Sequence, residues 1–360
     1  MTNQKSVVTL RIPKKILATG IIVIALVAAI LVFWQVYPIL QNPRSNYVSP
    51  KLQPMNLTLI GLNGTSLALN EEDIAKLESF ESRGGFKNSV GNLGGIGNYT
   101  GVRLIDLCNL VDSINSTCSL RITARDGYSM VYAYDQVMGN NFVTFSPATG
   151  DETSHTQPLT LILAYYKDGL NLTSNGDDPI GPLRLAIVGS EGVLTESHWW
   201  VKCVIKVEIR PAIEEWTLLL KGALVENMTR ATFESGVNEG CHGINWTDSK
   251  NVWTGIPLWL LVGRVDDGNV HTTTNSVRAF NDTLAKQGYI VKVITGEIDG
   301  ERYSCEFDSL RVMHNPDIIV ANRINGAPLP GSYWPLKLVG SGLSNSEMLG
   351  NIVEIQIIFP

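Results

Sequence analysis

WTGIPL, Trp253–Leu258, has a weaker copy in YTGVRL, Tyr99–Leu104, 154 residues earlier in a chain of 360. Other pairs keep nearly that spacing. Gly181-Pro182-Leu183-Arg184-Leu185 returns as Trp334-Pro335-Leu336-Lys337-Leu338, and LAYYKDG ending at Gly169 returns as VANRING ending at Gly326. Asp126-Gly127-Tyr128-Ser129 returns with an insertion as Asp299 to Ser304. Each half closes on an alternating stretch, VIKVEI at Val204–Ile209 and IVEIQI at Ile352–Ile357. Self-similarity at this period predicts a duplicated domain rather than a solenoid, with one copy over 55–211 and the other over 212–360.

The amino terminus reads differently. Residues 16 to 43 carry no charge, and a run of that length crosses a hydrocarbon core of about 30 Å. Lys5, Arg11, Lys14 and Lys15 precede it and only Arg44 follows closely. The positive-inside rule therefore predicts a cytoplasmic tail over 1–15, a transmembrane anchor over 16–40 and the bulk of the chain outside the cell membrane. The apolar run exceeds the 7 to 15 residues or so of a cleaved signal peptide and lacks a small-x-small site at its end. Residues 41–54, with Pro43, Pro50 and Pro54, read as an extended linker.

Subtracting the four cations before residue 16 leaves 24 basic against 34 acidic residues. Such a surface disfavours phosphate backbones and excludes nucleic acid as a partner. The pattern beyond the linker is α+β and rich in strands. NLTLIGLNG predicts a strand and tight turn, and Asp126-Gly127 and Lys167-Asp168-Gly169 predict hairpins. NEEDIAKLESF, residues 70–80, predicts a helix capped by Asn70 with Ile74, Leu77 and Phe80 on one face. YTGVRL is expected to open a helix, since Leu104, Leu107, Leu110 and Val111 recur at helical spacing. GNLGGIG, Gly91–Gly97, is expected to form an irregular turn, because it lacks the Lys-Ser/Thr ending and the preceding strand of a nucleotide loop.

The motifs WTGIPL, DGYS, RINGAPLP, GPLRLAIVG and WVKCVIKVEI, drawn from the two copies, resemble the oxidoreductase molybdopterin-binding domain, the sulfite-oxidase-like fold. The resemblance covers nearly all of residues 55–360 in two diverged copies, and implies two tandem strand-rich molybdopterin-binding-like domains behind a single N-terminal transmembrane helix. It implies a molybdopterin cofactor carrying molybdenum or tungsten, an oxidoreductase activity and an electron-transfer partner. The family completes its metal coordination with a cysteine thiolate between the first helix and the aromatic-Gly turn. Cys241, in NEGCHGINW, matches that position and is implied as catalytic metal ligand, with His242 beside it orienting an oxo group or the pterin. The first copy has ESRGGFKNSVGN there, so any metal belongs to the second copy alone. Arg184, Lys202 and Lys337 match the basic positions that hold the pterin phosphate.

The residues themselves leave alternatives open. Cys241 is also readable as a packed thiol or half of a disulfide, and Arg184, Lys202 and Lys337 as strand-edge charges. Cys108 with Cys118, and Cys203 with Cys305, could pair outside the cell, as could no cysteines at all. Eight sequons follow the anchor, at Asn56, Asn63, Asn98, Asn115, Asn171, Asn227, Asn245 and Asn281, and predict a glycoprotein; a glycan at Asn245 would crowd a cofactor mouth near Cys241. No twin-arginine signal precedes the anchor. Two functions stand side by side: a membrane-tethered oxidoreductase, and a non-catalytic surface binding or structural glycoprotein that keeps the fold without the cofactor.

Overall fold

The computed structural model describes residues 52–89, 91–174, 179–238, 241–268 and 280–360. The expected anchor lies outside the described residues, among which no helix is long and apolar enough to cross a membrane.

The described chain is strand-rich α+β. Its first half runs β1 (Asn56–Ile60), β2 (Ser66–Asn70), α1 (Glu71–Ala75), β3 (Ser79–Lys87), β4 (Leu93–Arg103) and α2 (Leu104–Cys108). It continues with β5 (Cys118–Ala124), β6 (Ser129–Ala133), α3 (Tyr134–Val137), β7 (Thr144–Phe145), β8 (Thr160–Lys167) and β9 (Leu170–Asn171). It ends with β10 (Arg184–Gly189), β11 (Leu194–Glu196) and β12 (Val204–Pro211). The second half runs β13 (Thr217–Lys221), β14 (Val225–Thr229), α4 (Arg230–Val237), β15 (Ile244–Thr247), β16 (Val252–Pro257) and α5 (Leu258–Val262). Then follow α6 (Asp282–Gln287), β17 (Ile290–Ile298), β18 (Glu301–Asp308), α7 (Ser309–Val312), β19 (Ile319–Ile324), β20 (Ala327–Pro328), β21 (Lys337–Val339) and β22 (Ile352–Ile358).

One five-stranded sheet has the order β2-β1-β12-β5-β6 and another β14-β13-β22-β17-β18. In both, the opening hairpin is joined in parallel by the closing strand, β12 beside β1 and β22 beside β13. The closing strand then pairs antiparallel with a second hairpin. The remaining sheets share the path β3-β4-β8-β10 and β15-β16-β19-β21, and β11 and β7 extend only the first beyond its β3 edge. The hairpin turns after β8 and β19 hold Asp168 and Gly169, and Asn325 and Gly326, at positive φ, as a two-residue type I′ turn requires.

The threonine-glycine pair in WTGIPL and YTGVRL has a specific cause. At each, the ladder to the neighbouring strand slips by a residue, between Thr100 and Gly101 on β4 and between Thr254 and Gly255 on β16. The backbones close up there. A Cβ at Gly101 would lie 2.3 Å from the Leu163 carbonyl oxygen, and one at Gly255 would lie 2.1 Å from that of Val320. The two hexamers are therefore strand ends rather than helix starts, and the short helices begin on their last residue, the fully buried Leu104 and Leu258.

Two further expectations are corrected. Asn70 caps α1, its Oδ1 accepting from the backbone N–H of Glu72 and Asp73 at 2.9 and 3.0 Å while Asp73 accepts from the Asn70 N–H. That helix nevertheless stops at Ala75. Phe80 sits in β3, because Ser79 to Arg83 pair with β4, and a full ladder outweighs the modest gain from extending a short helix. Nor is GNLGGIG an irregular turn: from Leu93 onward it belongs to β4, paired through Gly94 to Phe86 and Gly97 to Gly84.

One large apolar cluster holds residues from Met55 to Ile209, and a second those from Leu218 to Ile357. Ala231 of α4 belongs to the first cluster although it follows β12 in the chain, which marks α4 as the element that joins the halves.

Candidate functional site between the halves

Helix α4 rests on the free edge of β6. The Asn238 side chain replaces a missing strand there, its Oδ1 accepting from the Ser129 N–H at 3.0 Å and its Nδ2 donating to the Ser129 carbonyl at 3.2 Å. Arg230, 2% exposed, donates to the Val131 carbonyl at 3.0 Å and to the carboxylates of Glu215 and Glu234. The Tyr128 hydroxyl lies 3.0 Å from the His198 carbonyl and 3.1 Å from Ser235 Oγ. Burial pushes that phenol up to about 12, so it stays protonated and can donate.

This seam encloses a cavity of about 780 Å3, within the range of small-molecule sites. The first half contributes the end of β3 (Lys87), the β5–β6 turn (Asp126, Tyr128), Phe145, and the stretch Glu196, Ser197, His198, Trp200 and Lys202. The second half contributes Glu226 to Thr229, the α4 residues Thr232, Ser235 and Gly236, the turn Cys241-His242, and Arg264.

Of the residues implied by sequence, Cys241, His242 and Lys202 thus face one cavity. Cys241 is exposed, at the rim, and its backbone N–H donates to the Asn238 carbonyl at 3.0 Å. Partial burial and the Asp126 charge push its thiol up, away from the thiolate. Burial and then Arg264 hold the His242 imidazolium down, so the ring favours its neutral form. Arg184 and Lys337 do not line the cavity. Arg184 is 4% exposed behind the wall, its guanidinium 5.4 Å from the Trp200 ring centroid and 5.1 Å from that of Phe86. Lys337 stands on the other sheet of the second half, donating to the Met348 carbonyl at 3.0 Å with its ammonium 3.9 Å from the Tyr333 ring.

The sequence reading missed Glu196, His198, Glu226 and Arg264. Arg264 is tied to Glu226 by two bonds of 2.8 and 2.6 Å. His198 is held down to about 3, by burial first and then by Arg230, and its Nε2 has no hydrogen-bond partner among the described residues. Glu196 Oε2 is 3.9 Å from that nitrogen. Burial raises the Glu196 carboxyl, the Trp199 indole opposes this, and Glu152 and Glu226 add to the rise. The ESHWW stretch, with two polar titratable residues against two tryptophans, was the available signal.

No disulfide joins the five cysteines. Burial, reinforced by Cys118, pushes the Cys108 thiol up to about 12, and Cys203 donates to the Pro179 carbonyl. Among the sequons, Asn245 is exposed on β15, whereas Asn281 is occupied in capping α6 and bonding Asp267. No three His, Cys, Asp or Glu side chains cluster as a metal site among the described residues.

The lining does not fit a phosphorylated pterin. Such a group needs surplus positive charge, yet three cations, Lys87, Lys202 and Arg264, face three carboxylates, Asp126, Glu196 and Glu226. Arg264 is already neutralised, and two of the four residues expected to hold the pterin are turned into aromatic packing elsewhere.

No family model matches the chain, and no curated protein matches it. Among solved structures it is similar to the sulfane dehydrogenase SoxCD from Paracoccus pantotrophus, with a TM-score of 0.34 and 14% identity over 85% of this chain and 78% of that one.

Proposed function

We propose that this chain is a single-pass membrane glycoprotein, with residues 1–15 in the cytoplasm and an anchor over 16–40. Two tandem sulfite-oxidase-like domains, 55–211 and 212–360, then lie outside the cell and bind a small polar molecule in the cavity between them. The duplication is supported by the equal strand orders of the two five-stranded sheets and by the paired slips at Gly101 and Gly255. The observation that carries the binding role is the cavity of about 780 Å3, walled by both halves, with half-buried polar groups and three aromatic rings contributed by the first half. That combination is the usual make-up of a small-molecule site. In this reading the scaffold serves recognition, and no redox metal is required.

A second reading, the molybdopterin oxidoreductase with Cys241 as metal ligand, is favoured by one observation: Cys241 and His242 both face the cavity. A single preparation separates the two. The full chain, made in a host that synthesises molybdopterin and purified in detergent, is assayed for molybdenum and tungsten and for organic molecules released on denaturation, beside Cys241→Ser. The recognition reading expects substoichiometric metal in both proteins and a released small molecule. Stoichiometric metal that disappears in Cys241→Ser overturns it and establishes the oxidoreductase.

A further inference from the structure

Granting that the cavity between the halves binds a small molecule, its charge pattern selects which kind. The three cations in the wall are all engaged. Arg264 is doubly bonded to Glu226. Lys87 donates to the Gly150 carbonyl at 2.8 Å and lies 4.6 Å from the Phe145 ring centroid. Lys202 has interactions of its own within the chain.

The carboxylates differ. Glu226 is consumed by Arg264, and Asp126 Oδ1 accepts from the Tyr128 N–H at 3.0 Å inside its own turn. Neither Asp126 nor Glu196 has a Lys or Arg within ion-pair distance among the described residues, but Asp126 is exposed to water whereas Glu196 is half-buried. The nearest basic neighbour of Glu196 is His198, whose side chain is 13% exposed and held neutral by burial. A neutral imidazole does not compensate a carboxylate, and it leaves a nitrogen free to bond a ligand. Trp200 and Tyr128 line the same side of the cavity, and aromatic faces attract cations.

We propose that the cavity takes a small organic cation, a protonated amine or quaternary ammonium, with the Glu196 carboxylate as its counter-charge, His198 Nε2 as a hydrogen-bonding partner and the Trp200 and Tyr128 rings as its apolar wall. A carboxylate half-removed from water beside two further carboxylates, Glu152 and Glu226, gains most from an incoming positive charge. Anionic molecules meet the opposite situation, since every wall cation is already engaged.

Putrescine, choline, succinate and inorganic phosphate are the probes. Each is titrated calorimetrically into the detergent-solubilised full chain, and each is tested for slowing the reaction of Cys241, at the cavity rim, with a maleimide. Putrescine or choline is expected to bind and to slow Cys241 labelling, succinate and phosphate to do neither, and Glu196→Gln to weaken the cation at least tenfold. Glu196→Gln keeps the shape and the Trp199 contact, and circular dichroism checks its fold. His198→Phe, which preserves the ring and removes the nitrogens, is expected to weaken amine binding several-fold. Binding of succinate or phosphate in place of the cations, or cation binding unchanged in Glu196→Gln, refutes the assignment and leaves the cavity as a site for another class. If none of the four slows labelling and the purified chain releases no small molecule, the binding role itself falls.

Discussion

Replacing Gly255 by alanine tests the physical meaning of the repeated hexamer. The added Cβ would stand 2.1 Å from the Val320 oxygen and 2.5 Å from the Ala321 Cα, where a carbon-to-oxygen approach of about 3.3 Å is the ordinary limit. β16 would have to draw back from β19 by roughly 1 Å, which lengthens the ladder bonds flanking the slip. Overpacking of this kind costs 1–3 kcal/mol or so, and each weakened ladder bond adds about 1 kcal/mol. We expect Gly255→Ala to lower stability by about 3–4 kcal/mol, or a Tm drop of about 10 °C for a domain of this size. Gly101→Ala, with 2.3 Å to the Leu163 oxygen, is expected to act comparably on the first half. Gly268→Ala, where a Cβ meets nothing within 4 Å, is the control and should change stability by about 0.5 kcal/mol or less. Urea unfolding of the full chain in detergent, followed by tryptophan fluorescence, reads all three. A Gly255→Ala protein within about 0.5 kcal/mol of wild type, the scatter of ordinary surface substitutions, refutes the close-approach argument.

Other outcomes follow from single side chains. Asp266 is fully buried and its carboxyl is pushed up to about 6, by desolvation foremost. A raised acid favours the folded state below its unfolded value and withdraws that support as pH climbs through 6. Asp266→Asn should therefore flatten the loss of stability between pH 4 and 7, with a gain at pH 8 of at most about 3 kcal/mol, read from urea midpoints across pH. Arg230→Met leaves Glu234 without its partner at the seam and should cost about 3 kcal/mol. The same change should raise His198 from about 3 without restoring its ordinary value, because burial is the larger cause; a proton NMR titration reads this. Asn70→Ala removes both accepted bonds of the α1 cap and should cost about 1 kcal/mol in the same unfolding assay.

Local pattern carried most of the strands. VIKVEI and IVEIQI alternate because one face of each is packed in an apolar cluster, and Asp-Gly and Asn-Gly announce their turns through backbone geometry that any reader of the chain can anticipate. The helix at 70–80 was too long on paper because a sequence shows the amphipathic spacing of Phe80 but not the partner strand that claims it. The cavity was less legible still. Glu196 and His198 lie in one half, and Cys241 and Arg264 in the other; only the docking of α4 on β6 brings them face to face. That docking depends on Arg230 and Asn238, which in sequence look like an ordinary surface cation and amide. A reading of either repeat alone places the site inside one domain, whereas the structure walls this cavity with residues of both.

The parallel pairing of first and last strands has a mechanical consequence. Tension applied at the start of β1 and the end of β12, or at the start of β13 and the end of β22, pulls the two neighbours lengthwise in opposite directions. Their bridging bonds are loaded together rather than opened one by one like a zip. Each half should therefore resist stretching far better than a unit whose terminal strands formed an antiparallel hairpin, a useful trait for any chain tugged from its ends.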